Sequence, residues 1–442
     1  METVKRLSKL FFGPNRIGIK RFLVDLYGRF QRDSLFQNSV YLMLSTAVMA
    51  GFGFVFWIIA ARIYSPTDIG FATALISATI LLSNFGMLGF SAALVRYLPK
   101  SDKRNNLINS SIIIVSTATI LISGGYLLGI GHFAPAFREL TQNFSYGVLF
   151  VIFMVMVSVN TLTDSVFIAY RASKYNLIVY TYFGIVKVAL PLLLVSYGRY
   201  GIFFAYTGSV VVSLLLSLYF MRKHFAYHFD WTLEKKASLE MGRFSLANYV
   251  ATFMSGLPTL IMPTLIVNRL GASQSAYYYM ASTIAGLLYV IPTATAQSLF
   301  AEGSHDEEQI GSFVKSASKL IAVLLIPAIL VLVIFGKYIL LIFGKTYSAH
   351  SMQLLQILAI TGIFMSINLI GTSVMKVRHQ IKELVLVNFG YLVATLLLTA
   401  LLLPKGAIGA GLALMGGQIF VCIEFLLLLL LQKNRRSTTR LP

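Results

Sequence analysis

Three ionisable side chains lie inside apolar stretches of the sequence that are about 20 residues long, the length that crosses a bilayer. Lys187 lies near the middle of one stretch, and Asp164 and Glu424 lie seven and nine residues before the basic residues that follow theirs. Charged groups at such depth are costly and mark binding sites or ion pathways. We expect Lys187 to bind an anionic group of a substrate, and Asp164 or Glu424 to bind a coupling H⁺ or Na⁺.

These charges also have a structural interpretation. Asp164 and Lys187 fall on consecutive predicted helices, and their depths differ by roughly 5–7 Å given the helical rise. They could therefore neutralise each other as an ion pair. Glu424 could instead face solvent at a cytoplasmic vestibule. The sequence leaves these alternatives open.

Seven amide side chains form a second set of polar groups in the apolar stretches. A cavity lined by amides and aromatic faces would suit a glycan, whereas amides in helical bundles also bond one helix to another. With Lys187, four of the amides are our candidate substrate-binding residues: Asn84, Asn160, Asn248 and Gln297. The other three are Asn368, Asn388 and Gln418.

The residue patterns of common enzyme sites are missing from the sequence. The six histidines include no H-E-x-x-H pattern, and the single Cys422 cannot build a thiolate metal site. Gly344-Lys345-Thr346 resembles the end of a phosphate-binding loop, but the preceding Gly336 is too far away. We expect no enzymatic activity, no metal and no cofactor apart from the coupling ion.

The composition indicates which elements position these groups. Of 442 residues, 57% are hydrophobic and 12% are charged, which cannot supply the polar surface of a soluble protein. We predict an all-α polytopic membrane protein with about 12 transmembrane helices. The predicted spans are Val40–Ala61, Phe71–Val95, Leu107–Ile130, Tyr146–Tyr170, Leu177–Tyr197, Ile202–Met221, Phe244–Val267, Tyr277–Ala301, Ala317–Phe335, Leu354–Met375, Leu384–Leu403 and Ala407–Leu431.

The net charge of +20 follows this topology. Of the 36 lysines and arginines, 28 lie in the two tails and in the connections on the same side as the tails. The positive-inside rule places that side in the cytoplasm. The basic excess then faces anionic membrane lipids, and we expect no nucleic-acid partner. Apolar residues at helical spacing from Ile19 to Phe30 predict an amphipathic helix on the cytoplasmic leaflet.

Residues at the ends of the spans recur between the two halves of the chain. The pairs, at offsets of 207 or 208, are Arg62 with Arg269, Arg171 with Arg378, and Gly201 with Gly409. Six spans per half give a parallel repeat about an axis along the membrane normal, with a substrate cavity between the lobes. Gly51 aligns with Pro258, and we predict helix hinges at both. Chance recurrence in a membrane composition is the alternative.

The spans and the repeat divide the chain into five segments. A basic cytoplasmic tail with the amphipathic helix covers residues 1–39, and the six spans of the N-lobe cover residues 40–221. A cytoplasmic linker over 222–243 leads to the six spans of the C-lobe over 244–431. A second basic cytoplasmic tail covers 432–442.

Motifs in the first hundred residues resemble a known family. They are Ala61-Arg62-Ile63-Tyr64, Pro66 to Gly70, and Leu88-Gly89-Phe90 before Leu94-Val95-Arg96. They resemble the opening of prokaryotic polysaccharide-biosynthesis (Wzx-type) flippases of the multidrug/oligosaccharidyl-lipid/polysaccharide (MOP) exporter superfamily. The resemblance implies a MATE/MOP-like fold, with two six-helix lobes around a central cavity and bent helices 1 and 7. The implied cargo is a polyprenyl-(pyro)phosphate-linked oligosaccharide.

We therefore expect a plasma-membrane flippase that moves this lipid-linked oligosaccharide to the outer leaflet by alternating access, for surface polysaccharide biosynthesis. Glycosyltransferases or a polymerase of the same pathway would be its protein partners. An ion-coupled small-molecule or drug exporter of the same fold is one alternative. A membrane glycosyltransferase or polymerase is another, but it would need catalytic acids on a long outer loop, where only Asp68 and Glu139 occur.

Overall fold

A computed structural model describes the fold of residues 34–438, with side chains for residues 37–427 except 235–240, 243–248, 251 and 252. Every regular element in this range is a helix, as the predicted all-α class requires. The amphipathic helix predicted from Ile19 to Phe30 lies outside the described residues.

Twelve long helices alternate in direction along the described chain. They are α1 Ser34–Ile63, α2 Pro66–Met87, α3 Arg104–Phe133, α4 Phe144–Ala169, α5 Lys174–Leu193, α6 Arg199–Phe225, α7 Lys235–Leu270, α8 Ala272–His305, α9 Ile310–Leu340, α10 Lys345–Val377, α11 Ile381–Leu402 and α12 Ala407–Thr438. In the described range, eleven of them are long and apolar enough to cross a membrane. The twelfth, α7, contains the predicted seventh span and has Pro258 and Pro263 in its interior. The chain is a multi-pass helical membrane protein.

The predicted second span, Phe71–Val95, is wrong at its end. The helix α2 stops at Met87 because Leu88 and Gly89 have left-handed backbone angles, with φ of 47° and 80°. Glycine adopts this conformation without the steric penalty of a Cβ. The chain then continues as a separate short helix, Phe90–Tyr97, which interrupts the apolar run without any change in hydrophobicity.

The helices pack into an N-lobe of α1–α6 and a C-lobe of α7–α12. Because the direction alternates, α1 begins and α12 ends on the same side, which we call the terminus face; the opposite side is the distal face. The helix α2 is buried over most of its length and packs against both α7 and α8 of the other lobe. Small residues on α2, such as Gly70, Ala74 and Ala78, allow this close approach.

The turns after α4 and α10 have the same backbone pattern. Arg171 and His379 are left-handed, with φ of 54° and 55°. The bonds that close the turns run from Ala172 N–H to Phe167 O at 2.8 Å and from Gln380 N–H to Met375 O at 2.9 Å. Arg171 therefore corresponds to His379 at an offset of 208, and its predicted pairing with Arg378 is wrong by one residue.

Gly201 and Gly409 hold equivalent positions in the first turns of α6 and α12. A Cβ at either position would overlap the carbonyl oxygen of Leu194 or Leu402, respectively, in the preceding turn. The same close backbone approach therefore requires glycine at both places. The shared requirement for glycine is a physical reason for the predicted pairing of Gly201 with Gly409, and it supports the parallel repeat.

Candidate functional site

Two polar contacts join the lobes at the distal face. At the end of α1, the Arg62 guanidinium donates to Ile342 O at 2.9 Å and to Leu341 O at 2.8 Å, in the turn between α9 and α10. At the end of α7, the Asn268 side-chain oxygen accepts a bond from Ala136 N–H at 3.0 Å. The repeat relates the two contacts, since each joins the first helix of one lobe to a distal turn of the other.

Aromatic rings lie below these polar contacts. Trp57 of α1 meets Tyr279 of α8 edge-on, with ring centres 4.8 Å apart. Phe54 of α1 meets Phe343, after α9, at 5.5 Å. The rings and the polar contacts together form what we call the distal seal, because they close the space between the lobes at the distal face.

Toward the terminus face, α7 stays against α2 while α1 separates from α8. Tyr249 of α7 donates to the Asn84 carbonyl of α2, and the rings of Phe85 and Phe253 are 4.4 Å apart. The repeat makes α1 and α8 the equivalent pair, yet they do not pack along each other in the described residues. The two lobes are therefore joined unequally along these two equivalent pairs of helices.

Lys187 lies in an aromatic box next to the distal seal. Its Nζ is 4.8 Å from the ring centre of Phe56 on α1, 5.3 Å from Tyr206 on α6 and 5.5 Å from Phe183 on its own helix. Phe56 in turn contacts Trp57 at 4.7 Å, so one ring separates Lys187 from the lobe interface. Among the described residues Lys187 has no ion pair, which leaves its charge available to an anion.

Asp164 lies between α4 and α5. Its Oδ2 accepts a hydrogen bond from the Tyr180 hydroxyl at 2.8 Å, and its backbone carbonyl accepts one from the Asn176 amide at 3.4 Å. The second carboxylate oxygen, Oδ1, and the side-chain oxygen of Asn176 are buried without a partner in the described structure. Unsatisfied buried oxygens are costly, and a bound proton or cation would satisfy them.

The ion pair considered between Asp164 and Lys187 does not form. The Asp164 carboxylate is bonded to Tyr180, and Lys187 is seven residues further along α5. That separation is about 10 Å along the helix axis. The two charges are therefore separate groups in different surroundings.

Three of the predicted amides meet in the C-lobe. Asn368, Asn388 and Gln418 line a cavity of about 180 Å³ between α10, α11 and α12, with Lys376 also at its wall. The Asn368 amide donates to the side-chain oxygen of Gln418 and, at 3.1 Å, to its backbone oxygen. Typical ligand pockets begin at about 300 Å³, so this cavity fits only one part of a larger polar molecule.

Glu424 packs in the seam between α11 and α12. Its Oε1 lies so close to Gly390 that a Cβ there would overlap it, and its Oε2 is buried without a partner in the described residues. The carboxylate therefore faces the neighbouring helix. Glu424 as a whole is half-buried, and its exposure to a cytoplasmic vestibule stays a prediction.

The remaining candidate amides do not converge. Asn160 accepts a bond from Ser213 at 2.8 Å, which joins α4 to α6 as the structural interpretation expects. Asn84 lies at the seam of α2 and α7, and Gln297 is exposed on α8. The side chain of Asn248 lies outside the described residues.

The two hinge candidates lie within unbroken helices. A Cβ at Gly51 would meet nothing within 4 Å, and Pro258 is an interior residue of α7. Proline removes one backbone donor and disrupts helix geometry locally. Bending at either residue stays a prediction.

None of the residues that contact Lys187 and Asp164 is among the predicted site residues. A signal for them exists on α5, where Asn176, Tyr180, Phe183 and Lys187 recur at spacings of four, three and four residues. Such spacing aligns side chains on one helix face. That face turns the polar and aromatic groups of α5 toward the interior of the N-lobe.

Comparisons with known proteins agree with this architecture. The family described as "Polysaccharide biosynthesis protein" matches residues 35–300 of the chain. No curated protein sequence matches the chain significantly.

Several solved structures share the fold. The lipid II flippase MurJ in an inward closed conformation has a TM-score of 0.69 at 15% identity and covers 89% of this chain and 87% of its own. An inward-facing MATE-family multidrug resistance transporter of the MOP superfamily has a TM-score of 0.65 at 15% identity, covering 91% of this chain and 96% of its own. An outward-facing MATE-family transporter has a TM-score of 0.62 at 14% identity, covering 92% and 96%. The chain belongs to the polysaccharide biosynthesis protein family and has the MOP-superfamily fold of the MATE transporters and MurJ.

Proposed function

We propose that the chain flips a polyprenyl-(pyro)phosphate-linked oligosaccharide from the inner to the outer leaflet of the plasma membrane by alternating access. The observation that carries the proposal is Lys187, which has no ion pair among the described residues and lies next to the closed distal seal. Because α1 and α8 do not pack along each other in the described residues, we take the side opening to lie between them. A lipid-linked anion needs this combination: a cation for the head group and a side opening for the tail.

In this proposal, the terminus face is cytoplasmic and the head group enters from that side. Its phosphate contacts Lys187, while the sugars lie against amides such as the exposed Gln297 and the half-buried Asn84. The polyprenyl tail stays in the bilayer and passes between α1 and α8. The distal seal then opens as the lower parts of the lobes close, which releases the head group on the other side.

We assign ion coupling to Asp164, with Glu424 as the second candidate. Each carboxylate has one buried oxygen that lacks a partner in the described residues. Binding of a proton or Na⁺ at Asp164 would change the contact between α4 and α5 through Tyr180, and α5 also carries Lys187. Ion binding and anion binding would thereby act on the same helix.

Export of small molecules or drugs is the second candidate, because MATE-family multidrug transporters share the fold. The two candidates differ in what they require of Lys187. The positive charge of Lys187 attracts an anionic head group, whereas it repels the cationic compounds that an aromatic box would otherwise bind.

The proposal is tested by reconstituting the purified protein into vesicles with a fluorescent polyprenyl-pyrophosphate oligosaccharide in both leaflets. A membrane-impermeant quencher then reports transfer between leaflets. We expect faster transfer than in protein-free vesicles, and loss of that gain in the Lys187→Met variant. Vesicles that transport cationic dyes but show no lipid transfer would contradict the proposal and favour the drug exporter.

A further inference from the structure

A long apolar groove lies on the N-lobe at the distal face. It has a volume of about 840 Å³ and runs between α3 and α4, with the short helix Glu139–Gln142 at its mouth. Three glycines thin its walls: Gly124 and Gly131 on α3 and Gly147 on α4. Where glycine replaces larger side chains along two neighbouring helices, the surface between them becomes concave.

The groove spans most of the depth of one membrane leaflet. Its lining residues run along α3 from Gly131 to Gly124, seven residues or about 10 Å of helix, and along α4 from Phe144 to Ile152, eight residues or about 12 Å. Half of the hydrocarbon core of a bilayer measures about 15 Å. Its walls are aliphatic, and they include Leu127, Leu128, Val148, Val151 and Ile152.

A single cation stands at the mouth of the groove. The Arg138 guanidinium lies across Gly131, where Nε and Nη2 would be 3.4 Å from an added Cβ. Arg138 has no ion pair in the described part of the chain. The adjacent Glu139 is bonded to Arg199 at 2.6 and 2.7 Å and to Tyr200 at 2.8 Å, so it does not neutralise Arg138. Thr141 and Gln142 supply further polar groups beside the mouth.

We propose that this groove binds one anionic phospholipid of the leaflet at the distal face. The phosphate lies against Arg138, and one acyl chain lies between α3 and α4. Charge complementarity selects the head group, since arginine pairs well with phosphate oxygens. The match between the groove and one leaflet selects a chain that ends near the bilayer midplane. The proposal does not depend on what the protein transports.

The test uses the full-length protein in nanodiscs made of phosphatidylglycerol and phosphatidylethanolamine, released into detergent for native mass spectrometry. Gly124→Leu fills the groove, and the structure leaves open space for this side chain. Arg138→Gln removes the charge. We expect Arg138→Gln to lower the retained phosphatidylglycerol about tenfold, the effect of losing one contact to a charged group. Gly124→Leu should lower it at least as much, because its side chain occupies the space of the acyl chain.

Two matched variants serve as controls. Gly125→Leu adds the same side chain one residue away, also into open space but outside the groove, and Lys337→Gln removes a cation elsewhere on the distal face. Both should retain the lipid. Three results would overturn the proposal. Test and control variants could lose the lipid equally, or both test variants could retain it unchanged. The protein could also retain a polyprenyl phosphate in place of phosphatidylglycerol. Thermal unfolding with and without the lipid gives a second measurement, in which only the parent and control proteins should be stabilised.

Discussion

Among the residues that the structure describes, Lys187 contacts aromatic rings and no counter-ion. A cation within about 6 Å of an aromatic face gains roughly 0.5–2 kcal/mol, and three such contacts surround its Nζ. These contacts make the charge tolerable at this depth without neutralising it. A phosphate that reaches the box therefore gains more than it would from a lysine already paired with a carboxylate.

Replacing Lys187 by Met tests this role. The change keeps the length and apolar stem of the side chain and removes only the charge. We therefore expect the rate of lipid transfer to fall at least tenfold. A tenfold fall corresponds to a loss of about 1.4 kcal/mol of substrate stabilisation. Thermal stability should stay the same or rise, because an unpaired charge leaves the interior. Lys345→Met, at the exposed start of α10, is the matched control and should transfer lipid normally. Full activity of Lys187→Met would remove the assignment of the phosphate to this residue.

Asp164 and Tyr180 allow the carboxylate to be separated from its hydrogen bond. Asp164→Asn keeps the size of the side chain but removes the charge and the capacity to ionise. We expect this variant to lose the acceleration of transfer by an imposed H⁺ or Na⁺ gradient while it keeps transfer without a gradient. Tyr180→Phe retains the carboxylate and should keep the response to the gradient. A normal response in Asp164→Asn would move the coupling to Glu424 or to no carboxylate at all.

At the scale of helices, glycine has two different roles in the chain. Gly201 and Gly409 are required by backbone contact, since a Cβ would overlap a carbonyl oxygen. Gly51 and Gly53 on α1 have open space around them. Close packing therefore does not explain why glycine occurs at these two positions of α1. The flexibility that glycine gives a helix does explain it.

Gly409→Ala should destabilise the protein by about 1–3 kcal/mol, the usual cost of forcing a methyl group into a packed contact. Gly256→Ala makes the same change in α7 where nothing lies within 4 Å, and it should be neutral or slightly stabilising. Denaturant or thermal unfolding in detergent measures the difference. Equal stability of the two variants would mean that the first turn of α12 does not make the close approach described above.

Gly51→Ala tests the hinge in α1. The methyl group has room, so we expect α1 to gain about 0.5–1 kcal/mol of helical stability from the lower backbone entropy of the unfolded chain. If α1 bends at this residue during transport, lipid transfer should slow although the protein is more stable. Gly53→Ala lies two residues away in equally open space and should stabilise the helix without slowing transfer. Identical transfer in both variants would argue against a hinge at Gly51.

At the scale of the whole molecule, the two lobes are joined unequally at the two faces. The distal seal consists of a few hydrogen bonds and ring contacts, and the repeat relates its two polar contacts. Below it, α7 follows α2 while α1 leaves α8. A symmetric pair of lobes thus adopts an asymmetric arrangement, which is what an alternating mechanism requires of any one of its states.

Arg62→Ala removes two hydrogen bonds from the distal seal. Because bonds to a charged donor contribute about 1.5–3 kcal/mol, we expect the population open at the distal face to rise at least about tenfold. Spin labels at Gln142 and Lys345, on opposite lobes of the distal face, measure this as a longer distance in a Cys422→Ser background. Lys337→Ala, which leaves the seal intact, should keep the distance of the parent protein. An unchanged distance in Arg62→Ala would show that the ring layer and the contact of Asn268 with Ala136 hold the seal closed without Arg62.

The sequence by itself determined the class and the number of helices, because long apolar runs report the solvent that surrounds each segment. The orientation in the membrane stays a prediction from the basic connections. The sequence also located Lys187, Asp164 and Glu424 as charges inside apolar helices. It did not determine the end of α2, since a left-handed turn at Leu88 and Gly89 changes the backbone but not the hydrophobicity.

Only the tertiary structure decided which of these groups meet. Residues far apart in the sequence, such as Phe56, Lys187 and Tyr206, are brought together by helix packing. The same packing gave Asp164 a tyrosine partner where an ion pair with Lys187 was equally compatible with the sequence. Hydropathy is a property of single segments, whereas the partner of a buried charge depends on how several helices are rotated against each other.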